Sequence, residues 1–274
     1  MLVFDSAHHL IEAMSEKHKI QNTEHNQSFE IDFYLTDLDG YAVNLEALKR
    51  EGVVPVLPRI IRHDETQKVE SFLKSYATSD ARICLSHIGQ LELVKELPFS
   101  LIADYSINAF NSLSGEALKA LGFDQIVWST ELSKDELKKI NLASNNNGVF
   151  VYGHLPLMIS EYCPVGGVFV GHDKCGLCAK NTFSLIDERG AEYPLACDPS
   201  QCRTEVMSNL PISLLDQVPM LIKNGHDTFR ISMDAFNLES KEIMNKLFEN
   251  SQMDAVVTFD SESHSRGNFN RGIE

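Results

Sequence analysis

Residues 81–140 read ARICLSHIGQLELVKELPFSLIADYSINAFNSLSGEALKALGFDQIVWSTELSKDELKKI, and their rhythm sets the fold class. Short β-rich runs at 83–85, 101–103 and 126–128 alternate with helix-like stretches at 90–97, 114–121 and 133–140. Ser114 stands before GEALKALG with Gly122 as a stop, and Ser133 stands before KDELKKI, so both helices carry entry signals in the expected phase. Strand, helix and strand in alternation predict a parallel sheet, because parallel neighbours need a crossover long enough to hold a helix.

The same alternation extends outward in both directions. Strand-like runs recur at 31–35, 53–57 and 149–152, with a helix-like stretch at 65–76. Further on, 214–223 reads as a helix ending at Gly225, 228–232 as a strand, 240–249 as a helix and 255–259 as a last strand. Leu2, Phe4, Leu10, Ile11 and Met14 suggest an opening strand running into a short helix, and the polar stretch 16–28 reads as a loop. Six or more parallel strands fit either a barrel or an open sheet, and periodicity does not choose between them.

Five of the six cysteines fall between residues 163 and 202. Cys163 is followed by Cys175 and Cys178 in the tight pair CGLC, and then by Cys197 and Cys202 in CDPSQCRTE. Five thiols compete for the four positions of a tetrahedral zinc or an iron–sulfur cluster. The pair at 175 and 178 brings two sulfurs to one centre through a single turn, for which Gly176 supplies backbone freedom. The competing reading is a set of buried apolar thiols. Cys84, on a predicted strand with no other thiol nearby in sequence, is most simply core.

With 274 residues, 43% of them apolar, the chain can bury a substantial core. Its 24 basic and 39 acidic residues leave a formal charge of −15, which argues against an extended electrostatic footprint for nucleic acid. No apolar run reaches the length of a membrane span, and MLVFDSAHHLIEAM lacks a cationic head and a small-residue cleavage site. The expected compartment is the reducing cytoplasm, where clustered cysteines more often bind metal than form disulfides.

The ordered blocks VPVLPRI, ICLSHIGQLEL, IADYSINAFNS, VWSTELS, VYGHLPLMISEYCPVGG, LIDERGAEYPLACDPSQCRTEVMSN, LLDQVPMLIKNGHDTFRIS and SRGNFNRGIE closely resemble the collagenase-like peptidase family, peptidase U-32. The likeness runs from about Val53 to the end of the sequence. It implies an α/β barrel of alternating strands and helices, with a cysteine-rich, cluster-binding segment before the last barrel strand. It further implies an oxygen-independent hydroxylase with a 4Fe-4S cluster, acting on an RNA base or a quinone-precursor type of acceptor, with prephenate as a hydroxyl source. By position in the family pattern, Cys163, Cys175, Cys178 and Cys202 are the metal ligands and Cys197 is the spare thiol. Zinc is the alternative occupant, and the peptidase label is the alternative activity. The family's opening ELLAPAG-type and VY-type strand blocks are absent before Val53, so the expectation is an incomplete barrel. Residues 1–45 are then a substitute or remnant segment, 46–160 the βα repeats, 161–210 the cysteine-rich segment and 211–274 the final βα part. Such a barrel would be closed by a strand at 31–35 or by a partner chain carrying the missing strands.

In a barrel the strand C-terminal ends form the active face. Asp104 in IADYS and Glu131 in STELS stand just beyond such ends and are candidate catalytic residues, although each could simply cap a helix or turn. His154, two residues past a strand end, is a third candidate, against the reading of a satisfied loop histidine. Arg59, Arg203 and Arg230 are candidate substrate-binding residues, since an anionic reactant needs guanidinium partners, with surface ion pairing as the competing reading. No GxSxG elbow is present, and the nearest text to HExxH is TEHNQ, so peptidase chemistry has no motif of its own here.

Overall fold

The computed structural model describes residues 1–21, 30–140, 146–169, 175–198, 202–233, 243 and 259–272. Its strands, in chain order, are β1 (Leu2–Phe4), β2 (Phe33–Leu35), β3 (Val54–Pro55), β4 (Arg82–Leu85), β5 (Ser100–Ala103), β6 (Phe123–Val127) and β7 (Asn147–Gly153). They continue as β8 (Pro156–Ser160), β9 (Phe183–Ile186), β10 (Glu192–Cys197), β11 (Thr204–Met207), β12 (Ile212–Ser213) and β13 (Thr228–Met233). The expected helix at 240–249, and the expected last strand at 255–259 apart from Phe259, lie outside the described residues.

The chain divides into two compact units. The larger, Met1–Tyr152 with Ser213–Phe259 and Arg266–Glu274, is the parallel barrel. Its strands run β3-β2-β1-β13-β7-β6-β5-β4, all neighbours parallel. The remaining seam, between β3 and β4, is joined by a parallel bridge from Val56 to Cys84, with the Leu57 N–H donating to the Cys84 carbonyl at 2.9 Å. Eight strands thus follow one another around the ring in chain order, the arrangement that leaves little free sheet edge.

The barrel is therefore not two strands short. Residues 1–45 supply β1 and β2, and both pair in register: Val3 opposite Tyr34, and Tyr34 opposite Val54. Three residues per strand suffice because burial is complete on both faces, with Leu2, Val3, Phe4, Phe33, Tyr34 and Leu35 all buried. Period-two alternation directs Val3, Tyr34, Val54, Val56, Cys84 and Ile102 into one interior cluster, so Cys84 is a core residue. The polar stretch after residue 15 is also not all loop, because the first helix runs over Ala7–Gln21.

Helices cross between the strands. His63–Tyr76 buries Val69, Phe72, Leu73 and Tyr76, the spacing of a single helical face. Lys134–Lys139 is capped by Ser133 as the sequence predicts, the hydroxyl accepting from the Glu136 N–H while the Glu136 carboxylate accepts from the Ser133 N–H. For Ser112–Ala120 the cap is Asn111 instead of Ser114, which occupies the third helical position and closes the reciprocal box. An asparagine side chain reaches its own third amide as readily as serine does, and the sequence alone does not separate the two.

The smaller unit, Gly153–Ile212 with Asp260–Ser265, holds an antiparallel four-stranded sheet in the order β8-β11-β10-β9. In the chain it falls between β7 and β13.

His226, just before β13, is 3% exposed, and among the described residues neither ring nitrogen reaches hydrogen-bond geometry. Burial holds its pKa below the ordinary histidine value, outweighing the opposite pull of the Leu137 backbone and the Asp227 carboxylate. Since the folded pKa is the lower one, the unfolded chain takes the proton first as pH falls. The stability due to a neutral His226 is complete above about pH 6.5 and is lost as pH drops below it. The expected result is a fall in Tm between neutral and mildly acidic pH that is smaller in His226→Leu. Equal falls in the two proteins would refute it.

Candidate functional site

Arg59 beyond β3, Asp104 just after β5 and Arg230 in the middle of β13 come together in the barrel. Asp104 directly follows β5, and alternation from Ile102 directs it to the barrel interior, as it directs Arg230 from its place on β13. The Arg230 Nε lies 2.9 Å from the Asp104 Oδ1, and Nη2 donates to Oδ2 at 3.3 Å. Nη1 donates to Ser232 Oγ. Only 6% and 5% of the two side-chain surfaces are exposed, so this ion pair sits almost entirely out of water. The close Nε and Oδ1 contact is ionic, and among the described residues neither atom makes a hydrogen bond.

Aromatic rings complete the surroundings. The Arg230 guanidinium lies 4.7 Å from the Tyr105 ring centre and 5.3 Å from that of Phe150, and Arg59 lies 5.0 Å from the same Tyr105 ring. Tyr105 and Phe150 meet edge to face at 5.3 Å. Each such cation–ring contact is worth about 0.5–2 kcal/mol, more as water is excluded. Deeper in the barrel, burial first and the Asp104 carboxylate second hold the Cys84 thiol protonated well above the ordinary thiol range. Tyr34 is likewise raised by burial, so the groups beneath the ion pair stay neutral.

The other sequence candidates stand elsewhere. Glu131 follows β6 with its N–H bonded to Ser129 Oγ at 3.2 Å, and among the described residues no ion pair or hydrogen bond joins its carboxylate to Arg230 or Arg59. His154 and Arg203 belong to the smaller unit. The His154 Nδ1 meets the Ser208 carbonyl oxygen at 2.6 Å, and the Arg203 Nε meets Glu161 Oε1 at 2.9 Å. Of the six residues, three converge and three do not. Tyr105, Phe150 and Ser232 were not singled out from the sequence. Tyr105 adjoins Asp104, and Ser232 lies two positions along the same strand face as Arg230, which are the signals that could have found them.

The thiols gather in the smaller unit. Cys163 is buried with Val165, Leu195 and Val206, and Leu177, Phe183, Tyr193, Cys197 and Cys202 pack against this cluster. Gly176 adopts φ 59° and Cys202 φ 56°, both left-handed, a conformation glycine accepts freely and cysteine does not. Gly176 thereby makes the turn that presents Cys175 and Cys178, while Cys202 ends the β10–β11 connection. Burial raises the Cys178 thiol, followed by the charges of Cys163 and Cys175 and then of Cys202. Cys197 is pushed up to about 11, by burial first, with Thr204 Oγ1 donating to its sulfur at 3.6 Å and Cys163 close by. Cys178 and Cys197 thus stand close enough to the other thiols to feel their charge, a locale in which a cation would favour ionised sulfur. Among the described residues no three His, Cys, Asp or Glu side chains stand in a metal-ligand arrangement. The fit to a soft metal or cluster therefore rests on donor chemistry, with Cys163, Cys197 and Cys202 packed in one small apolar core and Cys178 near enough to Cys163, Cys175 and Cys202 to feel their charge.

A parallel eight-stranded barrel with a charged C-terminal end, and a separate unit bearing grouped thiols, define the class of protein. The sequence matches peptidase family U32 over residues 29–258, and the chain belongs to that family. No curated protein and no solved structure matches the chain. No helix among the described residues is long and apolar enough to cross a membrane.

Proposed function

We propose that this U32 family protein is a cytoplasmic, iron–sulfur-dependent hydroxylase that works without oxygen, on an RNA base or a small aromatic-type acceptor. The observation that supports it is the packing of Cys163, Cys197 and Cys202 in one apolar core, with Cys178 near enough to Cys163, Cys175 and Cys202 to feel their charge. Cys163, Cys175, Cys178 and Cys202 would hold a 4Fe-4S cluster, and such a cluster supplies electron transfer or activation of a hydroxyl donor such as prephenate. Around that chemistry the chain's own residues bind and orient. Arg230 and Arg59 attract an anionic reactant, Asp104 keeps Arg230 fixed, and the Tyr105 and Phe150 rings exclude water beside them. Peptidase action has only the family name behind it. A non-enzymatic role as a partial barrel loses its ground once eight strands are present. The test is anaerobic purification followed by visible absorption and iron and sulfide analysis. About four irons and four sulfides per chain is the expected result. Stoichiometric zinc with no iron would replace the hydroxylase reading with a structural site.

A further inference from the structure

We infer that Cys197 is the resolving thiol for Cys163, and that the two close a reversible disulfide when metal leaves the site, blocking reloading until the bond is reduced. This rests on the reading that Cys163 is a metal ligand and Cys197 is not. All six cysteines are free thiols. The Cys197 side chain packs on the core that holds Cys163 and stands within hydrogen-bond reach of its sulfur. Each of the two sulfurs is also oriented by its own donor. The Gly166 N–H donates to Cys163 Sγ at 3.4 Å, and Thr204 Oγ1 donates to Cys197 Sγ at 3.6 Å. Their backbones are fixed as well. Cys163 immediately precedes the helix Pro164–Phe169, with the Gly167 N–H bonded to its carbonyl at 3.0 Å, and Cys197 ends β10 opposite Thr204 of β11. A disulfide forms without strain only where the backbones already hold two thiols side by side.

The fifth thiol needs a use of its own once four sulfurs suffice for the metal. Cys84 is a fully buried strand residue of the barrel, whereas Cys197 is only half-buried and has a second thiol beside it. Cys178 feels Cys163, Cys175 and Cys202 through their charge, so the direct sulfur neighbour of Cys163 is Cys197. The oxidant class is a peroxide. It takes the Cys163 sulfur to a sulfenic acid and is itself reduced, releasing a water. The Cys197 sulfur then attacks that sulfur, the S–S bond forms as the S–O bond breaks, and the Cys197 proton leaves with the hydroxide as a second water. A small dithiol reverses the bond by exchange. Without Cys197 the sulfenic acid at Cys163 goes on to sulfinic acid, which a thiol does not reverse. While metal is bound, the Cys163 sulfur is occupied and the disulfide cannot form.

The test uses the full chain, stripped of metal by a chelator and fully reduced under anaerobic conditions. It is treated with hydrogen peroxide, alkylated and digested for mass spectrometry. The expected product is a peptide pair joined through Cys163 and Cys197 and released by dithiothreitol. Chain that still holds its metal should give about tenfold less of this product at the same dose, because the ligated sulfur is occupied. After peroxide and then dithiothreitol the parent should take up iron as before, whereas Cys197→Ser should take up at least about threefold less, with Cys163 recovered as sulfinic acid. The linkage in the parent decides the matter even if the variant does not fold. A dominant link from Cys163 to Cys175, Cys178 or Cys202, a Cys197 that stays a free thiol, or equal iron uptake by parent and variant would each overturn the proposal. The two readings fail separately. Chain isolated with zinc and no iron sinks the hydroxylase but should still form the link after chelation, and a full iron complement with no link sinks the disulfide alone.

Discussion

Asp104→Ala is expected to destabilise the barrel by about 3–5 kcal/mol, the usual cost of leaving one member of a buried ion pair alone. The Arg230 guanidinium is about one-twentieth exposed, and Tyr105, Phe150 and Ser232 do not supply a countercharge. The double change Asp104→Ala with Arg230→Met removes both charges and keeps most of the volume, and should recover much of the loss. Urea unfolding followed by fluorescence measures this in the barrel specifically, because Trp128 is the single tryptophan and is buried there. A loss below about 1 kcal/mol for Asp104→Ala would mean that water reaches the pair, since exposed pairs contribute no more than that.

Single serine substitutions at Cys163, Cys175, Cys178 and Cys202 are each expected to remove most of the iron from anaerobically isolated protein. Cys197→Ser and Cys84→Ser should leave the iron in place. A hydroxyl is a poor replacement for thiolate, so losing one of four sulfurs weakens the whole cluster site. Cys197 already accepts from Thr204, as Cys163 does from the Gly166 N–H, and burial pushes the Cys197 thiol up to about 11. Cys84 lies on β4 in the barrel interior, in the other unit. Iron content per chain is the readout. If Cys197→Ser loses iron as fully as Cys163→Ser while Cys202→Ser retains it, the two thiols around the β10–β11 connection exchange roles.

Much of the barrel was legible because its signals are local. Ser133 and Glu136 lie three residues apart and cap their helix without help from the rest of the chain. The runs around Ile83, Ile102 and Ile126 declare buried strands by composition, and a parallel sheet follows from the helices between them. The first two strands were harder. Leu2–Phe4 and Phe33–Leu35 are three residues each, too short for period-two alternation to register, and their identity as barrel strands depends on partners about 230 and about 30 residues away, Ile231 and Leu2. The four-stranded antiparallel sheet of the smaller unit was illegible for a related reason. Its strand β9 leaves the apolar Leu185 and Ile186 exposed and β10 buries only Leu195 fully, so neither shows the alternation of a half-buried strand.

At the candidate site the division is the same. Sequence by itself determined the alternation of strands and helices, the family, the grouping of five thiols within 40 residues and the short list of polar residues just past strand ends. Tertiary structure alone decided which of those residues meet. Asp104 and Arg230 are 126 positions apart and share a buried ion pair, whereas Glu131, equally well placed in sequence, joins neither. Closure of the ring brings β5 and β13 to face each other across the interior although they are not sheet neighbours, and that relation is a property of eight strands taken together. Local composition specifies what each strand end carries, but ring closure specifies which ends face one another, because the facing distance depends on strand number and tilt and not on any one segment.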